Sequence, residues 1–186
     1  LGASLSQIGF LSALATRNNA KPEDMRMHAR RIHEKSLEVT RALDEIVWAI
    51  NPRNDSIRQL ITYLAQCAGE IIAGSPSAFR LEIEEPLLDG TLSAEARHHL
   101  FLASKEALHN AARHSAASEI RLRVSSSSNG VSIAIADNGC GFERGTLDGS
   151  GNGLSGMERR LREIGGECRL ESFPGKGSSV ILHLPR

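Results

Sequence analysis

Apolar residues recur along the first part of the chain at helical spacing. Leu1, Leu5, Ile8, Leu11 and Leu14 fall three or four positions apart and predict one amphipathic helix over residues 1 to about 17. Asn18, Asn19, Ala20 and Lys21 break it. Pro22 followed by Glu23 and Asp24 marks a second start, because proline suits a first helical turn and acids oppose the positive end of the dipole. From there Met25, Ala29, Ile32, Ser36, Val39, Leu43, Ile46 and Ile50 alternate spacings of four and three, a heptad seam with Ser36 as its polar member. Two helices joined by a short turn form an antiparallel hairpin. A lone hairpin does not bury both seams, and each large apolar side chain left in water forgoes roughly 1.5–3 kcal/mol. A second copy completing a four-helix bundle is the simplest remedy; packing on the rest of the same chain is the alternative.

The pattern changes at Asn51-Pro52-Arg53-Asn54-Asp55, a run of turn formers whose proline discourages helix at its predecessor. The expected division is a hairpin domain over residues 1–53 and a second domain over 54–186. The second domain reads as a helix at about 56–73, a strand near 79–84, and a long helix from an N-cap at Ser93 to about His114. Strands follow near 119–125 and 131–137, then a Gly-rich stretch over about 138–152, a helix at about 153–164, and strands near 167–173 and 178–184. Ser125 to Ser128 with Asn129-Gly130 read as a hairpin turn. The fold class is α+β: a helical hairpin, half of a dimeric four-helix bundle, then a two-layer α/β sandwich with helices on one face of a mixed or antiparallel sheet.

Composition narrows the function classes. The 186 residues hold 22 basic and 22 acidic side chains with 4% aromatics, a balance that offers neither a general nucleic-acid surface nor base-stacking platforms. There is no apolar run long enough to span a bilayer and no signal-peptide pattern; a cytoplasmic chain is expected, with any membrane anchor in segments outside it. The amphipathic pattern is already under way at Leu1, which reads as a fragment of something longer. Cys67, Cys140 and Cys168 form no CxxC pair and suit a reducing compartment. The seven histidines make no HExxH or comparable set; adjacent His98 and His99 fall on different helix faces, so a protein-built zinc site is not expected.

Four motifs carry chemistry. On the helix from Ser93 to His114, Glu106, Asn110, Arg113 and His114 share an arc of about 100°, while Leu100, Phe101, Leu108, Ala111 and Ala112 lie opposite. Solvent-facing arcs favour Lys and Glu pairs, and this set is different. Next, Val131, Ile133 and Ile135 alternate into Asp137, followed by Gly139 and Gly141; a carboxylate at a strand end beside glycine backbone suits close approach of a flat ligand bearing an exocyclic amine. Third, glycines 149, 151, 153 and 156 open a helix, where backbone amides favour phosphate. The GxGxxG spelled by the last three lacks the strand directly before it that a dinucleotide fold requires, and the stretch before it reads as a lid. Last, Gly175-Lys176-Gly177-Ser178 turns into the final strand. Taken alone, each motif has an ordinary structural explanation.

Together, in this order and spacing, they resemble the GHKL ATPase superfamily over about residues 55–186: an N box (Glu106, Asn110, His114), a G1 box (Asp137, Gly139, Gly141), a G2 box (Gly151, Gly153, Leu154) and a closing Gly-x-Gly-Ser ending at Ser178. EALHNAARHS and the short lid look most like the DesK and NarX type of histidine kinase, as does DEIVWAINPRNDSI from Asp44 to Ile57. The resemblance implies ATP and Mg²⁺ as cofactors. Asp137 would bind the adenine amino group, with Ser178 near the base. Asn110 would coordinate Mg²⁺, Glu106 would orient a metal-bound water or act as base, and Arg113 and His114 would offset phosphate charge. Gly151, Gly153 and Leu154 would hold phosphates through backbone amides. It also implies a homodimer through the hairpin and transfer of the γ-phosphate to a histidine, for relay to a response-regulator receiver domain. Leu1-Gly2-Ala3-Ser4-Leu5 resembles the residues after the phosphoacceptor motif, which places that histidine just upstream of Leu1 and implies that the chain does not label itself. Ala3 stands where many members carry a Gln used in phosphatase chemistry, a departure that weighs against that activity. The competing classes are an ATP-hydrolysing GHKL enzyme and a dimeric scaffold whose ATP site has decayed.

Overall fold

The computed structural model describes residues 2–16, 21–87, 90–143 and 152–186, and the chain gathers into two units, Leu1–Ile50 and Asn51–Arg186. The first is a pair of packed helices, α1 (Gly2–Ala15) and α2 (Pro22–Ile50). Leu11 is buried, and Ile8, Leu14, Ile32, Val39 and Ile46 are half-buried. Ser36 satisfies its hydroxyl locally, donating to Ile32 O at 2.9 Å. Met25, Ala29, Leu43 and Ile50 of the seam stay exposed, as do Leu5, Phe10, Leu37 and Val47. Leu43, Val47 and Ile50 leave apolar surface exposed at spacings of four and three near the end of α2, the pattern of a helix that buries it against another surface.

The second unit contains a five-stranded sheet in the order β1-β2-β3-β5-β4: β1 (Ala78–Ile83), β2 (Glu119–Ser127), β3 (Gly130–Asp137), β4 (Glu167–Ser172) and β5 (Ser178–Pro185). β1 runs parallel to β2, and the remaining pairs are antiparallel, so the sheet is mixed. Alternation decides its faces. Ile120, Leu122, Val124, Ile133, Ile135, Val180 and Leu182 are buried beneath α3 (Ile57–Ile72), α4 (Ala94–His114) and α5 (Asn152–Glu163). Each such side chain contributes roughly 1.5–3 kcal/mol on leaving water. The opposite face carries an ion-pair ladder: Arg121 lies 2.6 Å from Glu119 and 3.2 Å from Glu82, and Arg123 lies 2.9 Å from Glu82. The architecture is the two-layer α+β sandwich expected from the sequence.

α4 is the element that organises the site. Ser93 caps it, its hydroxyl accepting from Ala96 N at 3.0 Å, while Glu95 in the first turn and Arg113 and His114 in the last complement the dipole. Leu100, Phe101, Leu108 and Ala111 seat it in the core, with the Phe101 ring 4.8 Å from that of Tyr63. Two polar residues share the buried face, Ser104 and Arg97. The guanidinium of Arg97 donates to Leu92 O at 2.6 Å and to Asn51 O at 3.3 Å, tying the start of this unit to the start of α4. Ser56 and Gln59 form a capping box on α3.

One expectation needs correction. The hairpin forms, but with a shorter turn: Ser125 to Ser127 belong to β2, Ser127 pairs with Gly130, and Ser128 and Asn129 connect the strands. Gly130 takes φ +135 with Leu184 O close beneath it, a conformation that a side chain would not tolerate, and this fixes the register two residues earlier than the Asn-Gly reading implies. Among the described residues no helix is long and apolar enough to cross a membrane.

Candidate functional site

The C-terminal half of α4 is flanked on two sides by glycine backbone. Glu106 and Asn110 are half-buried on its polar arc, and Arg113 and His114 on its last turn are exposed. The first turn of α5 lies against the arc. A β-carbon built on Gly153 would stand 2.6 Å from Glu106 Oε1 and 3.4 Å from Asn110 Nδ2. The N-terminus of a 12-residue helix therefore meets a carboxylate and a carboxamide with almost no intervening space. Leu154 follows, half-buried. Gly151 and the lid residues 144–151 lie outside the described residues.

The other flank is the loop after β3. Cys140 N donates to Ser115 O at 2.7 Å, and a β-carbon on Gly139 would fall 2.0 Å from that same oxygen. The loop thus rests directly on the end of α4, and only glycine permits it. Asp137 closes β3, and its Oδ1 accepts from Gly139 N at 2.9 Å. Burial raises its carboxyl above the ordinary aspartate value of 3.8, and bonds from the amides of Gly139 and Ser178 partly offset that rise. Ser178 lies opposite Asp137 in the sheet, and its hydroxyl is 2.9 Å from Ser172 Oγ.

Two glycines at left-handed φ complete this wall. Gly177 (φ +78) brings its Cα so close to Asp137 that a β-carbon would lie 2.0 Å from Asp137 O, and Gly141 (φ +57) approaches Phe173 O equally tightly, at 2.1 Å. Gly175 N donates to Cys140 O at 2.6 Å, so the final turn is stitched to the loop.

The structure brings some of the sequence candidates to α4, while Gly141 and Ser178 pack on the final turn and β3, and Gly151 lies outside the described residues. Gly153 stands at Glu106 and Asn110, and Gly139, with Asp137 beside it, stands at Ser115. At about 1.5 Å per residue, the nine steps from Glu106 to Ser115 span roughly 13 Å. Three supporting residues escaped the sequence reading. Ser115 is buried; its hydroxyl donates to Ala111 O and accepts from Ala117 N, ending α4 where the loop lands. Asn138 accepts from the amides of Ser118 and Glu119, both at 3.0 Å, anchoring the loop to β2. Ser172 accepts from Phe142 N at 2.9 Å. A serine straight after a helical run and an asparagine straight after a strand-end aspartate were the available signals.

The donor set suits a nucleotide with its metal. An acid that is partly desolvated accepts an amine well, a helix N-terminus favours phosphate, and one carboxamide and one carboxylate nearby suffice for a magnesium ion that takes its remaining ligands from phosphate and water. Among the described residues no cluster of three His, Cys, Asp or Glu forms a metal cage. A cleft lies elsewhere. It measures about 460 Å³ and is lined by Gly90, Ser93, Glu95, Ser126, Gly130 and Glu163 around the β2–β3 turn. It contains none of the candidate residues, and its carboxylates, Glu95 and Glu163, are exposed.

Comparison with known proteins points the same way. Residues 95–186 match the family described as "Histidine kinase-, DNA gyrase B-, and HSP90-like ATPase". The chain is 33% identical over 105 residues to the sensor histidine kinase LiaS of Bacillus subtilis, covering 56% of this chain and 29% of that protein. It is also 33% identical over 84 residues to the nitrate/nitrite sensor protein NarX of Escherichia coli, covering 45% and 14%. The chain thus spans less than a third of the length of either relative. The structure of the ATP-binding domain of PrrB from Mycobacterium tuberculosis superposes with a TM-score of 0.55 at 29% identity, covering 70% of this chain and 93% of that one. Full-length ShkA in complex with AMPPNP shares the fold, with a TM-score of 0.69 at 16% identity over 99% of this chain and 44% of that one.

Proposed function

The chain belongs, through residues 95–186, to the histidine kinase-, DNA gyrase B- and HSP90-like ATPases of the sensor histidine kinase type, and from that premise we propose that it binds ATP on α4 and presents the γ-phosphate to a histidine. The observation that carries this reading is the double contact on one helix: Gly153 against Glu106 and Asn110, and Gly139, next to Asp137, against Ser115.

Asp137 is the adenine reader. Its Oδ1 already accepts from Gly139 N, and the carboxylate's remaining lone pairs face an exocyclic amine, which donates. Gly139, Gly141 and Gly177 bring backbone close enough for a flat base, with Ser178 on the neighbouring strand. Toward the phosphates, the amides of Gly153 and Leu154 at the start of α5 counter negative charge, joined on the sequence resemblance by that of Gly151, and Arg113 and His114 at the end of α4 would offset phosphate charge. Asn110 would hold a magnesium ion, which supplies charge neutralisation across the phosphates, and Glu106 would orient a water bound to it. In the transfer itself, an imidazole nitrogen forms a bond to the γ-phosphorus, the bond to the ADP oxygen breaks, and the imidazole gives up a proton, for which Glu106 is a candidate base. Catalysis of this kind is chiefly placement and charge stabilisation.

The exposed heptad surface of α2 supports a homodimer through the hairpin, and the phosphorylated histidine would pass its group to a receiver-domain aspartate of a response regulator. Use of ATP and three cysteines without disulfides suit the cytoplasm. Calorimetry with Mg·ATP tests the assignment. Binding that is lost in both Asp137→Asn and Asn110→Ala supports it, and absence of binding by the unaltered chain favours a scaffold whose site has decayed.

A further inference from the structure

Away from the nucleotide-facing arc, one histidine bridges two helices. His99 lies on α4, and its Nδ1 is 2.9 Å from Arg160 O and 3.4 Å from Glu163 Oε2, both on α5. A carbonyl oxygen only accepts, so Nδ1 carries the proton. The end of α5 explains why that oxygen is available. A helix leaves its last carbonyls without intrahelical donors. The amide four residues beyond Arg160 is Ile164 N, which instead donates to Leu161 O at 3.2 Å; Gly166 N joins it there at 2.7 Å, and Gly165 N takes Arg162 O at 3.1 Å. His99 therefore supplies the missing donor from a neighbouring helix. Its side chain is only 17% exposed, so water competes poorly for the bond.

The two helices run antiparallel. His99 faces residues 160–163 of α5, while Glu106 and Asn110 face Gly153 at its other end. Met157 and Leu161 are buried between these ends and hold α5 against the body. Apolar packing resists separation but only weakly resists sliding along the helix axis; a directional bond at one end resists sliding. The Gly153 end is closely packed, with the Glu106 carboxylate 2.6 Å from where a β-carbon would stand.

We propose that His99 is a positioning residue for phosphate binding: by capping Arg160 O it fixes where the N-terminus of α5, with Gly153, meets Glu106 and Asn110. This inference rests on the nucleotide reading above and adds to it a residue about two turns removed from the site.

The experiment measures Mg·ATP and adenosine affinities of the full chain by calorimetry for the unaltered protein, His99→Leu and His99→Asn. Asparagine places an amide N–H at the same number of bonds from the backbone as Nδ1. The expected result is that His99→Leu weakens ATP at least fivefold and leaves adenosine within twofold, and that His99→Asn returns ATP to within twofold. Hydrogen exchange at Ile164 to Gly166, followed without nucleotide, is expected to quicken in His99→Leu and stay unchanged in His99→Asn. Undiminished ATP affinity in His99→Leu, equal losses for ATP and adenosine, or failure of His99→Asn to restore binding overturns the proposal. If the unaltered chain binds neither ligand, the nucleotide reading itself falls, and the His99 assignment with it.

Discussion

Gly153 and Glu106 stand so close that a methyl group on the first would lie 2.6 Å from Oε1 of the second. The neighbour is the tip of a flexible side chain, so Gly153→Ala forces the carboxylate aside and leaves the backbone in place. The expected cost to folding is within about 1 kcal/mol. ATP affinity is expected to fall by about tenfold or more, because Glu106 and the α5 amides no longer share their arrangement. Paired thermal unfolding and calorimetry check the split; a large loss of stability would show that the contact is structural.

Gly177 makes the opposite prediction. It holds φ +78, and the obstructing atom is the backbone oxygen of Asp137. Nothing there swings away. Gly177→Ala is expected to destabilise the second unit by about 2–4 kcal/mol, through both strain and overpacking. Denaturant unfolding measures this directly.

Asp137 links function to pH. Burial raises its folded carboxyl pKa above 3.8. The sign follows from linkage: an acid with a raised folded pKa binds its proton more tightly folded than unfolded, so its contribution to stability is fully present below 3.8 and is lost as pH rises through the folded value. At neutral pH the ionised group is a burden on the fold. Asp137→Asn is therefore expected to unfold at higher temperature than the unaltered chain at neutral pH, with the gap closing below 3.8. ATP affinity of the unaltered chain is expected to weaken on acidification at a pH above the ordinary aspartate range. Melting curves and calorimetry across pH 3–8 test both; a gap independent of pH contradicts the argument.

Arg97 has only 2% of its surface exposed and donates to Leu92 O and Asn51 O. Arg97→Ala leaves those carbonyls short of donors and opens a cavity, for an expected loss of about 2–4 kcal/mol. Faster hydrogen exchange at Ile57 and Leu92, whose amides bond to Gly90 O and Asp55 O, is the local signature.

Periodicity exposed most of this architecture, for physical reasons that differ by element. Ser93 ahead of Glu95 marked the start of α4 because capping is local, and alternation in Ile133 and Ile135 marked β3 because one face of the sheet is buried. The candidate residues were legible because glycines and polar groups at strand and helix ends are chemically unusual there. What stayed hidden depends on contacts distant in sequence. Arg97 looks like any helical arginine until Asn51 O is placed against it, and His99 shows its partner only once α5 folds back along α4. Of the serines at 125–128 only Ser128 sits in the turn, because serine suits turns and strands alike and the strand runs on until Gly130 meets Leu184.

In the hairpin, Leu43 and Val47 are exposed in a single copy. Leu43→Glu is expected to shift the chain from dimer to monomer in sedimentation while leaving ATP affinity within about twofold, since the second unit has its own core.

The most direct test is calorimetric titration of the full chain with Mg·ATP, beside Asp137→Asn and Asn110→Ala. The account predicts one nucleotide per chain, weakened at least tenfold by either substitution. Unchanged affinity in both variants, or no binding by the unaltered chain, would contradict a nucleotide site on α4.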